Sequence, residues 1–195
     1  MAYLLASILL TLGTAVAPLA ELERAQLETA TDRAGQLDEG ALYPLLRDVL
    51  TWPADVRAGA QWPDYAALLA DPAAYRGQAF FIEGNFAGRQ RRFGLARSGP
   101  WGDALAEWVV KVGPGENDVA VVYFVDPDAA IAKPRLGQRV QVVGRFYKVW
   151  ADRDLNNQPT EFLTFVARWP SFPGGADATS PSISREQLLI LLVLL

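Results

Sequence analysis

Cysteine and histidine are both missing from this 195-residue sequence, and methionine occurs once. Without thiols there is no disulfide framework to mark a compartment and no thiolate nucleophile. Without imidazole the usual general base near neutral pH is lost. With both residues gone, so are the ordinary zinc, copper and iron ligand sets. Catalysis would have to rest on carboxylates, lysine, tyrosine or serine, and the motifs that organise such groups are lacking too. There is no Gly-rich phosphate loop, no serine elbow and no lysine-centred motif. Asp126 and Asp128 stand two apart around a proline, the spacing of turn residues rather than of an acid/base pair. No enzymatic activity and no cofactor is expected.

A calcium loop is excluded by similar reasoning. Asp152, Asp154, Asn156 and Glu161 alternate like oxygen ligands, but an EF-hand loop needs Gly at its sixth position and Glu at its twelfth. Those positions hold Asn157 and Leu163. The segment reads as a hairpin loop, and no metal is expected.

A strong excess of either charge is also absent, since the net charge is -4. The distribution is uneven, however. Residues 21–76 hold ten acids against five arginines, whereas residues 77–170 hold twelve Lys/Arg against ten Asp/Glu. An acidic lead therefore precedes a mildly basic segment, and a balance of +2 falls well short of a nucleic-acid signature.

Apolar runs stand at both ends. Residues 1–20 carry no charged side chain, which fits a membrane anchor or a secretory signal. Pro18 directly follows the small-residue pattern Ala15-Val16-Ala17 and disfavours cleavage there, so an uncleaved anchor is preferred. Residues 171–184 read as a Pro/Gly/Ser linker. Residues 185–195 end in eight aliphatic residues, too few to span a bilayer, and read as the start of a truncated transmembrane helix.

Between these ends the hydrophobic period is 2 in long stretches. Val140, Val142, Phe146 and Trp150 share one parity, with Gly144 between them. In Glu161–Trp169, Leu163, Phe165, Ala167 and Trp169 fall on one face and Phe162 and Val166 on the other. Further strands are expected at Gln78–Ala87, resuming over Arg91–Arg97, at Glu107–Val112 and at Val119–Val125. Gly84 and Gly88 are suited to bulges. Helices are expected over Glu21–Gly40, Tyr43–Leu50 and Asp64–Ala70, the last with Asp64 as N-cap. Residues 21–63 form a helical and extended lead, in which two Trp-Pro pairs break the chain. Residues 64–170 form a barrel.

Three strands, a short linker and two strands match a mainly β, five-stranded Greek-key barrel of the OB type. The stretches YRGQAFFIEGNF and LGQRVQVVGRFYKVW resemble OB-fold domains of uncharacterised bacterial cell-envelope proteins, which are similar to the anticodon-binding-like OB group. An SH3-like small barrel is the alternative fold. The resemblance implies ligand contact around Arg97–Asp103 and Ala151–Thr160. With the apolar ends, it implies a membrane-tethered, non-enzymatic binding module of the bacterial inner membrane, its barrel extracytoplasmic. The expected partners are the membrane and an envelope protein or glycan, with nucleic acid not expected. The other reading is a single-strand nucleic-acid binder. For it, Arg89, Arg91, Arg92, Arg145 and Lys148 would follow a backbone, with Arg97 nearby and Phe81, Phe93 and Tyr147 as stacking platforms.

Overall fold

The computed structural model describes residues 16–53, 56, 60–115, 118–125, 134–153 and 158–173. At positions 89–91 and 153 it describes the backbone alone. The expected C-terminal linker from residue 174 onward, the expected membrane helix, most of the N-terminal apolar run, the Asp126/Asp128 pair and the 154–157 tip lie outside the described residues. Residues 171–173 of the expected linker instead continue from the last strand, Pro159–Ser171.

Five strands make the frame: β1 (Ala79–Gly99), β2 (Gly102–Lys111), β3 (Val119–Phe124), β4 (Arg139–Arg153) and β5 (Pro159–Ser171). They close in the order β1-β2-β3-β5-β4. Every neighbouring pair is antiparallel except β3 and β5, which run parallel. This is an OB-type Greek-key barrel.

β1 serves two partners because it is long and bent. Its first half pairs with β4, from Ala79↔Arg145 to Asn85↔Arg139, and its second half with β2, as in Arg91↔Glu107. The bend falls at a register shift between Phe86 and Gln90, where Gly88 has φ +99°, a value that favours glycine. The strand expected to stop at Ala87 and resume at Arg91 is therefore continuous.

At Gly84 the reason for glycine is space. A Cβ there would collide with the Lys111 carbonyl of β2 and lie 2.8 Å from Val110 Cγ1. Gly84→Ala is expected to destabilise the protein by about 2–3 kcal/mol through this overpacking. Gly94→Ala, with nothing within 4 Å of the added carbon, should stay within about 0.5 kcal/mol of wild type. Urea unfolding of the two variants checks the contrast.

The barrel interior is apolar: Phe80, Ile82, Phe86, Trp108, Val110, Val122, Phe124, Val140, Val142, Phe146, Val149, Leu163 and Phe165 form one buried cluster. The alternation expected for the start of β1 is seen, and that for β5 holds from Leu163 to Ala167. A register shift against Val142 and Gly144 follows, and Trp169, expected on the inner face, is not in that cluster. In β4 the alternation breaks at a bulge between Phe146 and Lys148. There the Thr164 hydroxyl accepts from Lys148 N (3.2 Å) and donates to Lys148 O (2.6 Å), supplying partners for groups that the ladder leaves over. Beyond the bulge Val149 takes the inner face, and Trp150 passes to the outer face instead of the inward one its parity predicted.

A second apolar layer lies outside the barrel. The lead forms α1 (Glu21–Leu27) and α2 (Glu39–Leu50), followed by short α3 (Tyr65–Ala70) and α4 (Pro72–Tyr75). Asp64 caps α3 as expected, its carboxylate accepting from Ala67 N (3.1 Å). Ala41, Leu42, Leu45, Leu46 and Val49 form the buried stripe of α2. They share a cluster with Leu105, Tyr123, Val143, Tyr147 and Val166 from the barrel's outer face. The helix expected over Glu21–Gly40 ends at Leu27 because the next turn binds β4 instead. Arg33 N donates to Val149 O (2.8 Å), Val149 N donates to Asp32 Oδ1 (2.9 Å), and Arg33 adopts φ +59°.

Candidate ligand-binding face

The sequence-predicted site residues divide into two groups that the fold keeps apart. Arg89, Arg91, Arg92, Phe93 and Arg97 lie on the second half of β1, along its ladder with β2. Arg92 and Arg97 are exposed. Arg91 stands opposite Glu107 in the ladder, and Phe93 opposite Leu105. The Phe93 ring meets Tyr123 of β3 edge-on, with centroids 5.8 Å apart.

Arg145, Tyr147 and Lys148 lie on β4 beneath the lead. The Arg145 guanidinium donates to both carboxylate oxygens of Asp48 (2.7 and 3.1 Å), to Gly77 O (2.8 Å) and to Ala17 O (2.6 Å). It also stacks over Trp52 at 5.3 Å. Lys148 is fully buried and donates to Asp38 Oδ2 and Gln36 O, both at 2.7 Å. The Tyr147 hydroxyl accepts from Asp38 N (2.7 Å) and donates to Asp38 O (3.0 Å). Burial pushes its pKa well above the ordinary tyrosine value, so it stays neutral. A further pair, Arg76 with Asp32, joins α4's end to the lead. These β4 groups are engaged by acids of the lead and do not meet the β1 arginines. The uneven charge of the sequence thus corresponds to an intramolecular match between acidic lead and basic barrel.

The lead also fixes the hairpin between β1 and β2. Tyr43 of α2 stacks on Trp101 at 5.1 Å, its hydroxyl accepts from Arg97 N (3.1 Å), and the Glu39 carboxylate accepts from Ala96 N (3.0 and 3.1 Å).

Beside the β1 arginines the outer face of β2 and β3 carries a cleft of about 190 Å³. Phe93, Tyr123, Trp150 and Phe162 supply its aromatic surface, Val109, Val119 and Val121 its floor, and Glu107 and Asp152 its carboxylates. Gly35 of the lead forms one edge. Glu107 is 3% exposed, whereas Asp152 is open to solvent. The sequence reasoning did not single out Glu107, Trp150 or Phe162 as site residues. Glu107 had one available signal, a lone acid before the apolar run Trp108–Val110. Trp150 had none, because the β4 bulge that turns it outward leaves no mark on the alternation. Among the described residues no group of three or more acids could hold a metal ion.

No family model and no curated protein matches this chain. Among solved structures it resembles the mitochondrial single-stranded DNA-binding protein Rim1 from S. cerevisiae. The likeness has 11% identity and a TM-score of 0.35, and covers 49% of this chain and 94% of that one. The finding agrees with an OB-like fold and gives no match to the cell-envelope group. The expectation that sets nucleic acid aside as a partner is corrected by it: the matched OB protein is one that binds single-stranded DNA. A likeness of this strength carries no argument for this chain's own ligand. Among the described residues no helix is long and apolar enough to cross a membrane. The end of the apolar N-terminal run, including the buried Leu19, packs against the lead and barrel.

Proposed function

We propose that this chain is a non-catalytic OB-fold binding protein that takes single-stranded nucleic acid across the paired halves of β1 and β2. One observation carries the reading: four arginines fall within Arg89–Arg97, on the strand that borders the aromatic cleft of β2 and β3. Arginines follow the phosphates while aromatic rings take bases, the division of labour in single-strand recognition. Arg145, Tyr147 and Lys148 have no part in this interface, since the lead occupies them.

The test is fluorescence anisotropy with a labelled oligo-dT across a salt series. Arg92 stands opposite the inward-facing Ala106, so three phosphate contacts are expected. They give a log–log salt slope of about -2, a fall in affinity of roughly twentyfold between about 50 and 200 mM salt. Arg97→Ala should weaken binding and make the slope shallower by roughly 0.7 unit. Failure to bind any oligonucleotide at low salt overturns the proposal.

The apolar run at residues 1–20 supports a further reading about place, a barrel tethered to a membrane. With this ligand the barrel lies on the cytoplasmic side. Its digestion from outside in intact spheroplasts would overturn that arrangement.

A further inference from the structure

The cleft carries chemistry that phosphate binding does not use. Its two acids would repel a phosphate, so an anionic backbone passing along the β1 arginines is kept out of it. Its aromatic rings and valines suit a flat, uncharged ring system. Pockets for drug-sized ligands run to roughly 300–1,000 Å³, so about 190 Å³ fits a single base and little more. The walls come from all five strands of one closed barrel, so the shape is set before a ligand arrives.

We infer that the cleft selects among bases and prefers guanine, with Glu107 and Asp152 reading its donor edge. This inference rests on the nucleic-acid reading above. Guanine presents adjacent N1–H and N2–H donors on its Watson–Crick edge, a spacing that one carboxylate accepts bidentately. Cytosine and adenine present one amino donor beside an acceptor. Thymine presents a single N3–H between two carbonyl oxygens, which a carboxylate repels. Glu107 is the stronger reader, because its burial raises the cost of leaving a donor edge unmatched and strengthens each hydrogen bond made. Glu107 and Asp152 both interact within the protein already. A carboxylate has about four acceptor positions, so these interactions and a ligand contact are compatible.

The experiment compares an oligo-dT strand with the same strand carrying one central dG, dC or dA, by anisotropy with the full chain. The dG strand should bind roughly tenfold tighter than plain oligo-dT, with dC and dA between them. Glu107→Gln should remove that preference, bringing the dG strand and plain oligo-dT to equal affinity, because it weakens the contact to guanine and relieves the repulsion of thymine. Glu107 is buried, so circular dichroism confirms that the variant is folded. Asp152→Asn, at an exposed position, supplies an independent reduction of the preference. Equal affinity for all four strands, or a dG preference that survives both substitutions in folded protein, overturns base selection and leaves the nucleic-acid reading standing. Absence of binding to every strand at low salt overturns both.

Discussion

Asp38→Asn should lower stability by about 3–5 kcal/mol, the largest loss expected from any single polar substitution in this chain. Lys148 reaches Asp38 from a fully buried position on β4, and its other acceptor is the Gln36 carbonyl. Asparagine keeps the size of the side chain and removes the charge, so the ammonium is left in the interior without a counter-ion. The same carboxylate accepts from Thr31 N at 3.0 Å, and that contact weakens as well. For a protein of this length the change corresponds to a fall in melting temperature of roughly 10 °C. Asp38→Asn with Lys148→Met should recover much of the loss, because a buried ion pair replaced by apolar groups is close to neutral. Urea unfolding of the wild type, the two single variants and the double variant measures the coupling. A loss below about 1 kcal/mol for Asp38→Asn would mean that the pair behaves like a solvent-screened surface contact.

Trp108→Ala comes next, with an expected loss of about 3–5 kcal/mol. The indole sits at the centre of the barrel with Phe86, Phe124 and Phe172 around it, ring centroids 5.4, 4.7 and 6.4 Å away. Truncation removes those ring contacts and leaves a void that strands in a closed barrel cannot collapse to fill. Trp108→Phe retains an aromatic ring in the same place and should lose less than half as much. Calorimetric melting of both variants tests the contrast. Equal losses would show that packing around this residue is looser than the ring distances imply.

The sequence made the barrel legible because strand alternation is a local property. Phe80, Ile82 and Phe86, and Leu163, Phe165 and Ala167, face inward where period 2 places them. Gly84 and Gly88 were read as bulge positions. The register shift coincides with Gly88, while Gly84 answers to the backbone of a neighbouring strand. The roles of Arg145, Tyr147 and Lys148 were not legible. Their sequence neighbours describe a basic, aromatic strand, and the acids that engage them lie 97 to 110 residues away along the chain. The cleft was hidden for a similar reason. Its lining comes from all five strands and the lead, and Trp150 reaches it only after the bulge at Phe146 and Lys148. Pattern reading reveals which face a residue takes relative to its neighbours. It does not reveal what another part of the chain lays on that face.

The order of synthesis gives the lead an unusual early life. Asp38 emerges 110 residues before Lys148, an interval of roughly 5–20 seconds at ordinary elongation rates. During it, the stripe Leu42, Leu45, Leu46 and Val49 has no β4 or β5 to lie on, because the outer face that receives it is not yet made. The acids that later hold the lead in place give the nascent segment a net negative charge in that interval. One set of carboxylates thus keeps the incomplete segment charged and fastens it once β4 has formed.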